Sequence, residues 1–449
     1  MSTNRELGTE NPEPREPGTG NVEPGTRIED SRVLIIATTT GYQIRSFGEA
    51  AARLGVGLVF ASDRCDQLDD PWWDAAIPIR FHEPDRSTDA ITEALVAAPP
   101  RGVIAVGDRP TLLAARMADA FGLPGNPPHA AAASRNKLAT REALQDAGLP
   151  SPAYRVVPLD SDAGTLARGL TYPVVIKPLA LSGSRGVMRA DDGQELVDRF
   201  ERLRALLQSP DVRGERDAVH DRALVESFIP GREFAVEGVL TRGAFALFAI
   251  FDKPDPLDGP FFEETIYVTP SCASSDTQTR IVEAIAAAAR AIGLWHGPVH
   301  AECRVNETGV YVLEVAARPI GGLCSKALRF VSSANSVSLE EVLLRHAIGE
   351  DVSRFARERA ASGVMMIPIP KRGIFRGVDG VDAARSIDGI EEVIISAKQD
   401  ALLVPLPEGR SYLGFIFARG DDAATVERAL RNAHALLQFS VEREVTLLS

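Results

Sequence analysis

Cysteine is scarce in this chain: Cys65, Cys272, Cys303 and Cys324 are the four among 449 residues, and no two stand at C-x-x-C spacing. A disulfide framework or a zinc site is therefore not expected, and a reducing compartment is. No run of about 18 apolar residues occurs, so no membrane-spanning helix is expected. The N-terminus also lacks the apolar core of a signal peptide. The expectation is a cytoplasmic protein without a membrane partner. Basic charge is in deficit, with 49 Lys and Arg against 62 Asp and Glu and a net charge of -13. A nucleic-acid binder needs a basic face to displace counterions, so nucleic acid is not an expected partner. Residues 1–30 contain no aromatic and are rich in Pro, Gly, Glu and Thr. Such a stretch cannot bury enough apolar area to offset its ordering entropy and reads as a disordered tail.

What is present is an ordinary globular composition, 45% hydrophobic and 25% charged, long enough for about three domains and a large core. Apolar β-rich runs at 32–37, 57–61 and 102–107 alternate with helical segments at 43–54 and 111–121. That alternation predicts a parallel α/β sheet over residues 31–125, closed by the turn-rich Gly122-Leu-Pro-Gly-Asn-Pro-Pro128. A helix is predicted over 134–147, with Gly148 as its stop, and another over 195–207. Strands at 245–251, 266–268, 300–305 and 310–315 are predicted to share one sheet, with helices at 284–292 and 339–348. The segment 346–449, with a helix at 423–437, reads as a separate C-terminal α+β module.

Five islands in this order carry chemistry. Lys137 on a helix is followed by Lys177, which ends the apolar strand Val174-Val-Ile-Lys-Pro178. A lysine on a buried strand needs an anionic partner, and two of them suit nucleotide phosphates. Next comes Ser182-Gly183-Ser184-Arg-Gly186-Val187, whose small residues allow backbone N–H groups close to phosphate oxygens; alone, it also fits a plain hairpin turn. The third island is Leu224-Val-Glu226-Ser227-Phe228-Ile229-Pro-Gly-Arg-Glu233. It offers backbone near Ser227–Ile229 for adenine and carboxylates for ribose hydroxyls, or else an ordinary charged hairpin. The fourth pairs Glu302 and Glu314 across a hairpin with its turn at Asn306-Glu-Thr-Gly309. Antiparallel strands would set the two carboxylates side by side, where they repel unless a cation joins them, and hard oxygen ligands suit Mg2+. The fifth is Arg318-Pro-Ile-Gly321-Gly322, an arginine with two glycines suited to oxyanions. Glu263 or Glu264 in the acidic, aromatic 251–264 segment could meet a substrate ammonium group, and His300 is either catalytic or a satisfied core histidine.

This order of lysine, lysine, small-residue loop, hinge glutamates and metal glutamates resembles the ATP-grasp superfamily over residues 32–345. The resemblance implies an α/β ATP-grasp fold. An N-terminal domain at 31–125 would precede the ATP-grasp domain at 126–345, whose lid subdomain would span about 150–225. It implies ATP as nucleotide, held by Lys137, Lys177, the 182–186 loop, Glu226, the 227–229 backbone and Glu233. Glu302 and Glu314 would then ligate Mg2+, with Mn2+ as the alternative ion. The family's common asparagine after the second metal glutamate is absent, because Ala316 stands there, which leaves the count of metal ions open. The run Glu314-Val-Ala-Ala-Arg-Pro-Ile-Gly-Gly322 and the upstream Gly297-Pro-Val-His-Ala-Glu302 are similar to the L-amino acid ligase branch, in which the arginine is catalytic.

The implied reaction is ADP-forming ligation of a carboxylate to an amine through an acyl phosphate, with Lys177 and Arg318 catalytic. Small-molecule acids and amines, amino acids among them, are the expected partners, and a homodimer the candidate assembly. His300, Glu264, Gly321 and Gly322 are the substrate-side candidates. Two alternatives stay open. One is a biotin-carboxylase-like or purine-pathway ATP-grasp carboxylase, although no Met-Lys-Met biotin-attachment triplet is present. The other is a degenerate nucleotide-binding regulatory protein.

Overall fold

The computed structural model describes residues 31–38, 43–63, 76–332 and 335–444; the tail expected over 1–30 lies outside them. Four parallel strands open the fold, in the spatial order Ile77–Pro78, Gly57–Ser62, Arg32–Ala37, Gly102–Val106. Val33 to Ile36 are fully buried, as expected where helices cover both faces of a parallel sheet. Helix Ile44–Leu54 stops at Gly55, whose φ of 69° lets its N–H cap the carbonyls of Ala51 and Ala52. The end of helix Leu339–Ala347 comes so near Gly102 that a Cβ there would lie 2.4 Å from the Ala347 carbonyl oxygen. Only glycine permits that approach, and it seats the N-terminal sheet against the body of the molecule.

A second, smaller sheet contains Tyr154–Pro158, Arg222–Ser227, Val174–Pro178 and Met188–Ala190, paired antiparallel in that order. Helix Gly193–Leu207 covers it, with Leu196, Phe200, Leu203 and Leu207 fully buried along one stripe, the spacing of an amphipathic helix. This sheet and helix lie within the range expected for the lid.

The central sheet has eight antiparallel strands: Gly309–Ala316, Gly297–Asn306, Arg232–Thr241, Ala244–Asp252, Ile266–Thr269, Ala361–Ile367, Gly414–Gly420 and Ile390–Ile395. Helix Ser275–Ile292 packs its Ile281, Ile285, Ala288, Ala289 and Ile292 onto it. The C-terminal segment read as a module extends this sheet, because Ile266–Thr269 pairs directly with Ser362–Met365. Every residue of Ala361–Ile367 is buried, so that strand needed partners on both edges and cover on both faces. The helix expected over 134–147 is two, Pro128–Ser134 and Lys137–Asp146. Asn136 breaks it: its side chain accepts from the N–H groups of Leu138 and Ala139, which favours a new N-terminus over continuation. Among the described residues no helix is long and apolar enough to cross a membrane.

Candidate active site

Glu302 and Glu314 are register partners on adjacent antiparallel strands, beside a bulge between Glu302 and Cys303, so their side chains share a face. Each is a quarter exposed or less. Lys137, at the first turn of its helix, points its Nζ to within 3.6 Å of Glu314 Oε2 and donates to the Leu181 carbonyl at 2.9 Å. That carbonyl precedes the small-residue loop, so one lysine joins helix, loop and metal-type glutamate.

Lys177 is buried at its strand end and ion-pairs with Glu226. Burial brings its ammonium down to about 8 against the opposing pull of Glu226. Glu226 also accepts from Arg141 Nε at 2.7 Å. Burial alone would raise its pKa, but Arg141 and Lys177 hold it below the usual carboxylate range. Arg141 is fully buried and further donates to the carbonyls of Val312 and Leu313 at 3.2 and 2.9 Å. It thus fastens the lid strand that carries Glu226 to the strand that carries Glu314. Glu226, expected at the nucleotide, accepts from these two cations and so places Lys177. No motif pointed to Arg141, one ordinary cation on a polar helix.

The hinge backbone is partly engaged as well. Ser227 N–H donates to Ala153 and Phe228 N–H to Pro173, while the Ile229 carbonyl accepts from Arg304 at 2.8 Å. The adenine contacts expected from these three groups must therefore come from what remains of the segment. In the small-residue loop, Gly183, Ser184 and Gly186 have φ of 64°, 56° and 77°, the left-handed region that suits such residues. Ser182 and Gly183 are exposed. Gly186 is not available to phosphate as expected, since its N–H donates to the Pro407 carbonyl at 2.8 Å. A Cβ at Gly186 would meet Leu203, Leu206 and Pro178 at 3.0 to 3.2 Å, so packing also requires glycine there.

Glu233, Glu264 and Glu302 converge on Lys253. Its Nζ lies 2.8, 2.7 and 3.0 Å from their Oε1 atoms. Glu233 Oε2 takes Arg304 Nε at 2.8 Å, and Glu264 accepts from the Tyr267 hydroxyl at 2.7 Å. Burial lifts Glu264 to about 7, against the attraction of Lys253 and with the repulsion of Glu302. Burial opposes the charge of Glu302 too, but Lys253 and then His300 hold it well below the usual range. Glu264, expected to meet a substrate ammonium, has an internal ammonium instead. Lys253 stood unremarked within the 251–264 segment.

His300 Nδ1 bonds to the buried carboxylate of Glu237, and its Nε2 faces Glu302 at 3.6 Å. Burial alone would depress the imidazole, but Glu237 raises it to about 9, so it is cationic at neutral pH. The other oxygen of Glu237 accepts from Ile320 N–H at 3.3 Å, tying the histidine to the Arg318–Gly322 loop. Gly321 in that loop is exposed, and Gly322 adopts φ of 62° beside Phe415. Arg318 is buried, with Nε 2.8 Å and Nη2 3.3 Å from the two oxygens of Asp108. Asp108 follows the Gly102–Val106 strand, at the carboxyl end of a parallel sheet where α/β folds collect ligands. That position was the only sequence signal for it.

An N-terminal α/β domain, a small antiparallel lid and a larger antiparallel sheet, with lysines and glutamates where they meet, define an ATP-grasp protein. The comparisons agree. Residues 48–125 match the ATP-grasp N-terminal domain, 170–327 the ATP-grasp domain and 365–442 the L-amino acid ligase C-terminal domain 2. The chain belongs to the ATP-grasp superfamily, and within it resembles the L-amino acid ligase branch. A crystal structure of an L-amino acid ligase from Bacillus licheniformis superposes with a TM-score of 0.77 at 27% identity, covering 92% of this chain and 99% of that one. The alanine–anticapsin ligase of Bacillus subtilis is 29% identical over 46% of each chain. The uncharacterized protein y4rH of Sinorhizobium fredii is 26% identical over 72% of this chain. The matches span 64% of y4rH and 46% of the alanine–anticapsin ligase, less than two thirds of either.

Proposed function

We propose that this chain is an ADP-forming ligase that joins a carboxylate to an amine, with amino acids as the substrate class. The observation that carries the reading is the pairing of Glu302 with Glu314, with Lys137 beside Glu314 and Arg318 four residues further along the chain. The hard oxygens of the two glutamates fit Mg2+, or Mn2+ in its place. When bound, such an ion neutralises phosphate charge. Lys137 and Lys177 are the phosphate-facing cations, and Glu233 is the ribose-side carboxylate.

In the first step a substrate carboxylate oxygen bonds to the γ-phosphorus of ATP as the bond to the ADP oxygen breaks. Catalysis of such a transfer is mostly positioning and charge stabilisation. Arg318, held by Asp108, is already oriented before charge develops. In the second step the amine bonds to the acyl carbon, phosphate leaves and the amine loses a proton. The three thiols among the described residues are free, which fits a reducing, cytoplasmic setting where ATP is supplied.

The test is ADP release by the purified chain over pairs of amino acids, with the product identified by mass spectrometry. Release that requires both an acid and an amine, with an amide product, is expected. Release that requires bicarbonate and no amine would transfer the protein to the carboxylases.

A further inference from the structure

The Lys253 knot has a role that the reaction scheme leaves open. Four neighbouring elements feed it. Glu233 lies on the strand Arg232–Thr241, Lys253 directly follows Ala244–Asp252, Glu264 precedes Ile266–Thr269, and Glu302 lies on Gly297–Asn306. One oxygen from each glutamate falls within 4.8 Å of the others. That spacing is what a divalent cation asks of three carboxylates. Three carboxylates so close cannot all stay charged without a cation among them. The cation present is the Lys253 ammonium, only 2% exposed and bonded to all three. The Tyr267 ring, 5.0 Å from Nζ, closes another side.

We propose that Lys253 is a positioning residue acting as a built-in cation: it fixes Glu302 while keeping metal ions out of the Glu233–Glu264–Glu302 cluster. Under the ligase reading, Glu302 must share its metal with Glu314, its register partner, and with substrate phosphates. Glu302 has a competing acidic neighbourhood on its other side, formed by Glu233 and Glu264. A second metal drawn there would take the Glu302 oxygen that now faces Lys253 and compete with Glu314 for that carboxylate. A covalently tethered ammonium fills that place without exchanging. It also links the ribose-side carboxylate, the metal-side carboxylate and Glu264 through one atom.

The experiment titrates Mn2+ into the nucleotide-free full chain and counts bound ions by the loss of the free-ion electron paramagnetic resonance signal. Lys253→Met keeps most of the side-chain volume and removes the charge. It should bind one more Mn2+ per chain than the parent protein, and Lys253→Met/Glu264→Gln should lose that added ion. If Lys253→Met does not fold, Lys253→Gln, which retains a donor, takes its place in the same titration. In a ligase assay the single variant should lose about tenfold to a hundredfold in kcat, the usual cost of disturbing a group behind a metal ligand. An unchanged Mn2+ count would overturn the proposal. A lysine that only packs the core would move melting temperature without adding a metal site. The count needs no substrate, so it stands even if the chain ligates nothing.

Discussion

Asp108 holds Arg318 by two bonds across 210 residues of sequence, Nε to Oδ1 at 2.8 Å and Nη2 to Oδ2 at 3.3 Å. The carboxylate comes from the N-terminal sheet and the arginine from the loop that ends the Glu314 strand. Burial works against the charge of Asp108, but Arg318, with Lys137 and His300 further off, keeps it below the usual range. The pair joins the N-terminal domain to the proposed reaction centre. It also occupies one edge of the guanidinium fork, and with Nη1 on the Pro319 carbonyl each terminal nitrogen keeps one further N–H to donate.

If Arg318 stabilises charge that develops during reaction, Arg318→Ala lowers kcat by about two to three orders of magnitude. ATP affinity, measured directly by calorimetry, should change far less. Lysine restores only part of the rate, because a point charge cannot take up the bidentate pairing. A parallel loss of affinity and rate in the alanine variant would make Arg318 a ground-state binder. Asp108→Asn, which weakens the orientation but keeps the shape, should cost about tenfold to a hundredfold in kcat, like other groups that orient a reacting residue.

Glu302→Gln and Glu314→Gln should each nearly abolish ADP formation while leaving the fold, read by far-ultraviolet circular dichroism, intact. Both side chains sit at partly open positions on paired strands, so the amides fit the same space. What they lose is affinity for a hard cation. Wild-type rates in both variants at saturating Mg2+ would refute the metal assignment.

Arg141 predicts a stability effect rather than a catalytic one. It is fully buried, and Glu226 depends on it and on Lys177 for its charge. Arg141→Met leaves that carboxylate short of one cation and should destabilise the chain by about 3–5 kcal/mol, read as a shift in the urea midpoint. Converting Glu226 and Lys177 to Met in the same chain should recover much of the loss, since matched apolar side chains then replace all three buried ions. No recovery would mean that Arg141 acts through its bonds to the Val312 and Leu313 carbonyls.

His300 gives the chain a pH dependence of known sign. Its folded pKa, raised to about 9, exceeds the ordinary imidazole value of 6.5. Its contribution to stability is therefore full below about 6.5 and is lost as pH rises through about 9. Urea unfolding at pH 6, 7.5 and 9.5 should show the parent protein losing stability relative to His300→Gln across that range. Parallel curves for the two proteins would show that the Glu237–His300 pair is not charged in the folded state.

Much of the molecule is legible in the sequence because it is local. Apolar runs bounded by turns gave the parallel strands, and the Asn306–Gly309 turn marks the hairpin that carries Glu302 and Glu314; the turn's own register would set Glu302 opposite Leu313, and the bulge between Glu302 and Cys303 brings Glu314 there instead. The apolar approach to Lys177 marked it as a lysine needing an anion, and its strand is indeed buried. Tertiary structure alone decided which anion that is. Glu226 takes the place beside Lys177, Asp108 the place beside Arg318, and three glutamates surround Lys253. It alone decided that Ala361–Ile367, in the C-terminal segment, joins the central sheet. The physical reason is the same in each case. Side-chain alternation and turn chemistry act over a few residues, whereas a charge or a strand edge accepts any complementary partner, and only packing selects which one arrives.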